Sequence, residues 1–312
     1  MTYLELFQLT QRPFANRPDP CLFFPCEEQE RAVRQCVAAL EQATGLTFVT
    51  ADDGLGKTAF SLRLTAVLPA ESWTVRSLVV PHAALTERGF LRRACTLFAE
   101  DGLWPPRDED EAHLSARLDD LLDGAWKKGL RPVLIIDEAD LIARDDVIHA
   151  LARLTSKGDG DRPRLEIVLL GRPSCAIRLG DALRRAGCDH AECLRLEALS
   201  PATVAAYVQH RLTAAGAPNN PFTAEALDAL HQVTAGAPRR VNLLCEAALV
   251  EAARHGQSDI DRALIERLST GVEPSRDAAP DLAFLTNRAA ETPLTGEELA
   301  EVDRALDALR LG

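Results

Sequence analysis

The sequence predicts an α/β fold in which a parallel sheet is sandwiched by helices, followed by a smaller all-α domain. Three observations predict it. Short continuous apolar runs alternate with stretches of helical periodicity, the pattern of strands buried on both faces. One junction between a run and a helix carries the glycine-rich string TADDGLGKTA at residues 50–59. From about Ser200 the strand-like runs stop and only helical periodicity remains.

In chain order, residues 27–42 place Ala32, Val33, Cys36, Val37 and Leu40 at helical spacing and read as an amphipathic helix. LTFVT at 46–50 is a buried strand, and TAFSLRLTAVL at 58–68 returns to helical periodicity after the glycine-rich turn. WTVRSLVV at 73–80 is a second strand, followed by helices over 84–100 and 110–127. PVLIID at 132–137 and LEIVLLG at 165–171 are the third and fourth strands, and a last strand-like stretch follows ALRRAG. Residues 1–198 are thus expected to form the α/β domain. Four helical patterns within 199–270, several opened by Ser, Thr or Asp or closed by Gly, form the helical domain. Residues 271–294, Pro-rich and polar, read as a linker. Residues 295–312 read as an acidic amphipathic helix opening on a Thr295 to Glu298 capping box, packed on its own domain or docking a partner or neighbouring subunit.

Composition narrows the class. The chain has 312 residues, 46% hydrophobic and 26% charged, which suits a globular protein with a large core. Its formal charge of −12 disfavours a surface built to neutralise nucleic-acid phosphates. No apolar run approaches the roughly 20 residues that cross a bilayer, and the start lacks the order of a secretory signal, so a cytoplasmic protein is expected. The 8 cysteines are scattered. Cys21 with Cys26, and Cys188 with Cys193 around His190, each have about half of a zinc-site spacing and lack a second half, so no metal is expected there.

The string Ala51 to Thr58 ends as a phosphate-gripping loop does, although Ala51 stands where such loops usually begin with glycine. In a strand–loop–helix context the backbone amides converge on phosphate oxygens at a helix start. Asp53, Gly54, Leu55, Gly56, Lys57, Thr58 and Ala59 are therefore expected to bind nucleotide, with Lys57 reaching the β and γ phosphates and Thr58 holding Mg2+. The side chains of Asp52 and Asp53 are expected to face solvent or a neighbouring subunit. VLIIDEAD at 133–140 delivers two carboxylates to the same sheet edge. Asp137 is expected to hold Mg2+, and Glu138 to polarise the attacking water.

GLGKT and IIDEAD, followed by a helical domain, resemble an AAA+ ATPase, a P-loop NTPase with an all-α lid. The opening YLELFQLTQRPFANRPDPCLFF resembles the N-terminal signature of the ExeA/GspA-type ATPases of general secretion, on Tyr3, Phe7, Leu9, Pro13, Phe14, Pro18, Asp19 and Pro20. LLGRP, YVQHRLTAAG and GAPRRVNLLCEAAL add to it, so that the likeness covers roughly residues 3–268. The resemblance implies that residues 1–26 help form the nucleotide's base pocket. It implies that Arg239 is a sensor 2 arginine coupling nucleotide state to lid angle. Family members commonly carry Gly-Gln-Pro after the fourth strand, and this chain has Gly171, Arg172 and Pro173, so Arg172 stands at the sensor 1 position. It further implies hydrolysis between subunits of a homo-oligomer, where Arg184 or Arg185 is either an arginine finger or a solvated helix charge.

The function so implied is Mg-dependent ATP hydrolysis, with Glu138, Lys57 and Arg239 as catalytic residues, in a switched component of a secretion, pilus or exopolysaccharide machine. Relatives often continue into a membrane segment and a peptidoglycan-binding region, which this sequence lacks, so a direct cell-wall role is not expected. A DNA-binding transposition regulator shares the core motifs, and the net charge weighs against it. A nucleotide-binding scaffold without turnover is the remaining reading, supported by Ala51 and Arg172.

Overall fold

The computed structural model describes residues 2–15, 24–100, 102–156, 162–188 and 190–269. The expected linker at 271–294 and C-terminal helix at 295–312 lie outside the described residues, as do Pro18, Asp19, Pro20 and Cys21. The described residues up to Glu266 belong to one compact unit.

Strands β1 (Leu46–Thr50), β2 (Trp73–Val79), β3 (Arg131–Asp137), β4 (Glu166–Gly171) and β5 (Glu192–Arg195) form a parallel sheet in the order β2-β3-β4-β1-β5. The continuous apolar runs serve both faces, because successive side chains point to opposite sides. Phe48, Leu134, Ile136, Ile167 and Leu169 pack on one face under helices α4 (Glu87–Phe98), α5 (Glu111–Lys127), α6 (Asp145–Thr155) and α7 (Pro173–Arg185). Val49, Val133, Ile135, Val168 and Leu170 face the other way, against α2 (Glu27–Glu41) and α3 (Lys57–Val67).

Helix α6 has no counterpart among the elements expected from the sequence, although Val147, Ile148, Leu151 and Leu154 have helical spacing and Asp145 and Asp146 open its first turn. The short α1 (Tyr3–Leu6), held by a capping box on Thr2 and Glu5, is also new. Where a helix over 84–100 is expected, α4 starts at Glu87, because the Thr86 side chain accepts from the Gly89 amide and caps it there.

Helices α8 (Pro201–Ala214), α9 (Ala224–Thr234), α10 (Pro238–Arg254) and α11 (Arg262–Ser269) follow the sheet. The described part of the N-terminal stretch packs on these helices. The buried Arg211 of α8 donates to the carbonyls of Pro13 at 2.6 Å and Ala15 at 2.9 Å. Tyr3 and Arg12 both donate to Glu246 of α10, and Phe14 meets Phe222 edge to face. Five of the N-terminal signature residues, Tyr3, Phe7, Leu9, Pro13 and Phe14, lie in this lid-bound segment.

Candidate functional site

The strand order decides which chain ends meet. β4 lies between β1 and β3, so the residues after β4 emerge between the loop that follows β1 and the carboxylates that end β3. The Ala51 amide donates to the Gly171 carbonyl at 3.0 Å, which fixes the loop's entry to the end of β4.

Within the loop, Gly54 and Gly56 have φ of 82° and 94°, where a side chain is disfavoured. Gly54 also has a packing reason. A Cβ on Gly54 would come within 2.9 Å of the Arg239 Cβ, and one on Gly56 within 2.9 Å of the Gln29 Nε2. Gly54 is therefore where the lid meets the loop, and the Arg239 amide donates to its carbonyl at 3.2 Å. Ala51 is buried and does not fall in the positive-φ region, so its methyl group is accommodated.

Lys57, the first residue of α3, has a side chain only 10% exposed. Its Nζ donates to the Ala51 carbonyl at 3.0 Å and lies 3.5 Å from both the Asp52 carbonyl and the Asp53 Oδ1. The next residue, Thr58, donates its hydroxyl to the Asp137 Oδ2 at 3.0 Å. Asp137 is buried at the end of β3, and its Oδ1 accepts the Glu138 amide at 2.9 Å, so both carboxylate oxygens are oriented. The Thr58 hydroxyl and Asp137 carboxylate are hard oxygen donors brought together, the donor set that suits Mg2+.

Glu138 has φ 55° and ψ 37°, a left-handed conformation rarely taken by a bulky residue and of the kind that clusters at functional sites. The turn Ala139–Leu141 follows it directly. Glu138 remains open to solvent, yet surrounding protein withdraws it partly from bulk water, and this together with the Asp137 charge pushes its pKa up.

Three residues of the site were not expected from the sequence to act as partners. Asp140 accepts the Arg172 amide on both oxygens, at 3.2 and 3.0 Å, which ties the end of β4 to the turn after β3. Gln29 of α2 packs against Gly56. Asp53, expected to face solvent or a neighbour, is exposed and also reaches Arg172: Nε lies 3.2 Å from Oδ1 and NH2 3.1 Å from Oδ2. Arg172, one strand away, supplies a countercharge that local sequence does not reveal. The charge of Asp53 in turn raises the pKa of Arg172.

Arg184 and Arg185 lie exposed in the last turn of α7, and Arg184 pairs with Asp181 on its own helix. At 1.5 Å per residue they stand roughly 18 to 20 Å along the helix from Arg172. Arg240, beside Arg239, donates to the Val233 carbonyl within the lid. Cys188 is half-buried and Cys193 exposed, and among the described residues no group of three or more His, Cys, Asp or Glu could hold a metal ion.

A five-stranded parallel sheet between helical layers, a Lys-Thr phosphate loop after β1, paired acids ending β3 and a helical region behind them define a AAA-type P-loop protein. Residues 40–179 match the AAA domain family. Within that class the chain belongs to the ExeA/GspA type: it is 31% identical over 279 residues to General secretion pathway protein A of Aeromonas hydrophila. That alignment covers 88% of this chain and 49% of the relative, so the chain spans about half the length of the curated relative it matches. Among solved structures, Cdc6p from Pyrobaculum aerophilum is 15% identical with a TM-score of 0.61, over 93% of this chain and 82% of that one. The ADP form of the Aeropyrum pernix ORC2 protein is 17% identical with a TM-score of 0.60, over 94% of this chain and 83% of that one. At those identities the likeness is one of fold. Among the described residues no helix is long and apolar enough to cross a membrane.

Proposed function

We propose that this chain binds ATP in the loop after β1 and hydrolyses it between copies of itself, as a nucleotide-switched assembly or motor component of a secretion or envelope-building machine on the cytoplasmic side. The observation that carries the proposal is the hydrogen bond from Thr58 to Asp137, which joins the two motifs at one sheet edge. The ADP form of the Aeropyrum pernix ORC2 protein supports an adenine nucleotide as ligand, and the likeness to General secretion pathway protein A supports the machine.

The amides from Asp53 to Ala59 hold the phosphates at the start of α3, where the helix dipole favours negative charge. Lys57 turns from the loop carbonyls to the β and γ phosphates. Thr58 and Asp137 would hold Mg2+, which would neutralise charge on the phosphate oxygens. Glu138 orients the attacking water and takes its proton, and its raised pKa makes it the stronger base. Arg239, packed against Gly54, transmits phosphate occupancy to the lid. Arg184 or Arg185, roughly a helix length from the chain's own loop, reaches the site of a neighbouring copy as an arginine finger.

Phosphate release by the wild type beside Glu138→Gln, at several protein concentrations, tests the proposal. Turnover that rises more steeply than protein concentration, and is lost in Glu138→Gln, is expected. Nucleotide binding with no release from the wild type at any concentration would make the chain a scaffold. Salt-sensitive, ATP-dependent retention of duplex DNA on filters would move it to the DNA-binding regulators.

A further inference from the structure

Asp53 is a charged side chain of the loop for which the proposed chemistry has no use, and it has ion-pair partners. It holds two cations. Its carboxylate meets Arg172 side-on through both oxygens, at 3.2 and 3.1 Å, and its Oδ1 is 3.5 Å from the Lys57 Nζ. Arg172 is fixed at its backbone by Asp140, which leaves the guanidinium to choose its partner. Because β4 lies between β1 and β3, Arg172 leaves the sheet between the loop that carries Lys57 and the acids that end β3, where the proposed chemistry puts the outermost phosphate and the attacking water.

We propose that Asp53 is an internal stand-in for the terminal phosphate: it engages Arg172 and Lys57 until a triphosphate takes them, and so sets the preference of the site for triphosphate over diphosphate. The inference rests on the reading of the loop as a nucleotide site. A carboxylate and a phosphate are planar or tetrahedral oxyanions that compete for the same forked guanidinium. The Arg172 and Asp53 side chains are 57% and 68% exposed, and a pair so wetted shifts an equilibrium by about fivefold at most. It is therefore a threshold that a triphosphate overcomes, not a block. Once Arg172 turns to the phosphate, Asp53 is left beside a like charge, which adds to the threshold. A diphosphate lacks the outer phosphate that Arg172 would take, so removing Asp53 helps it less.

The test is calorimetric titration of the full chain with MgATP and with MgADP, in a Glu138→Gln background that prevents turnover. Asp53→Asn keeps the shape and removes the charge, and the exposed position spares the fold. It is expected to tighten MgATP roughly three- to fivefold and MgADP less than about twofold. Arg172→Ala is expected to weaken MgATP more than MgADP. With Arg172→Ala present, Asp53→Asn should change the ratio of the two affinities by a smaller factor than in its absence, because only the Lys57 contact and the like-charge repulsion remain. Both nucleotides binding with a ratio unmoved by Asp53→Asn, or MgATP weakened by it, would overturn this inference and leave the proposed function standing. Binding of neither nucleotide by any variant would overturn both.

Discussion

Ala51 and Lys57 stand six residues apart and carry opposite expectations. Ala51 is buried, donates its amide to Gly171 and lies outside the positive-φ region, so glycine there would add freedom the loop does not use. Ala51→Gly is expected to change MgATP affinity by less than about twofold in a calorimetric titration. Lys57 is the charge that the loop wraps, and Lys57→Ala is expected to lower turnover by about a hundredfold or more, measured as phosphate release. A large gain from Ala51→Gly would show the loop to be impaired. At this scale the motif was legible: lysine, threonine and two acids in their strand contexts were enough to expect one site, and the Thr58–Asp137 hydrogen bond joins its two halves. The salt link from Asp53 to Arg172 was not legible, since its partners lie 119 positions apart.

Among the elements, the turn before α10 has the tightest geometric demand. Gly236 has φ +70°, and a Cβ there would come within 2.1 Å of the Leu199 carbonyl oxygen. The Leu199 amide in turn donates to the Gly236 carbonyl at 3.0 Å, which clamps the start of the helical region to the turn that presents Arg239. Gly236→Ala is expected to cost at least about 2 kcal/mol, read from the urea midpoint, and to weaken nucleotide binding through Arg239. The strands were legible because burial on both faces leaves an unbroken apolar run. Helix α6 carried an equally readable period yet was not anticipated. The docking of the N-terminal stretch on the lid was not readable, because Arg211 finds backbone carbonyls of Pro13 and Ala15, acceptors that every residue carries.

For the whole molecule, one buried acid sets a pH dependence of stability. Glu166, 1% exposed at the start of β4, has its pKa pushed up to about 7 by burial, although it accepts the Gly45 amide and faces Arg131 at 3.6 Å. Burial also lowers the pKa of Arg131, so the attraction between the two groups does not offset the desolvation of the pair. A raised carboxyl pKa means that the folded state binds more protons, so this group's contribution to stability is fullest below about pH 4.5 and is lost as pH rises to about 7. The loss is up to about 3 kcal/mol. Thermal midpoints measured across that window should fall less with rising pH in Glu166→Gln than in the wild type. At the level of assembly, replacing Arg184 and Arg185 together by Ala should lower turnover by roughly a hundredfold or more while nucleotide binding persists. Mixing that variant with Lys57→Ala copies, which keep their arginines, should restore part of the activity; no recovery would count against action between copies.

By itself the sequence determined the parallel sheet, the helical region that follows it, and the placement of the glycine-rich loop after β1 and of the acids at the end of β3. Each of these rests on local spacing: burial on one or both faces sets a period, and glycine or a capping side chain sets a boundary. Only the tertiary structure decided that Gly54 gives room to Arg239, that Asp140 fixes Arg172, and that Asp53 spans Lys57 and Arg172. Those pairings follow from β4 lying between β1 and β3 and from the lid folding back on the loop, and strand order is a property of long-range packing that no local pattern of residues states.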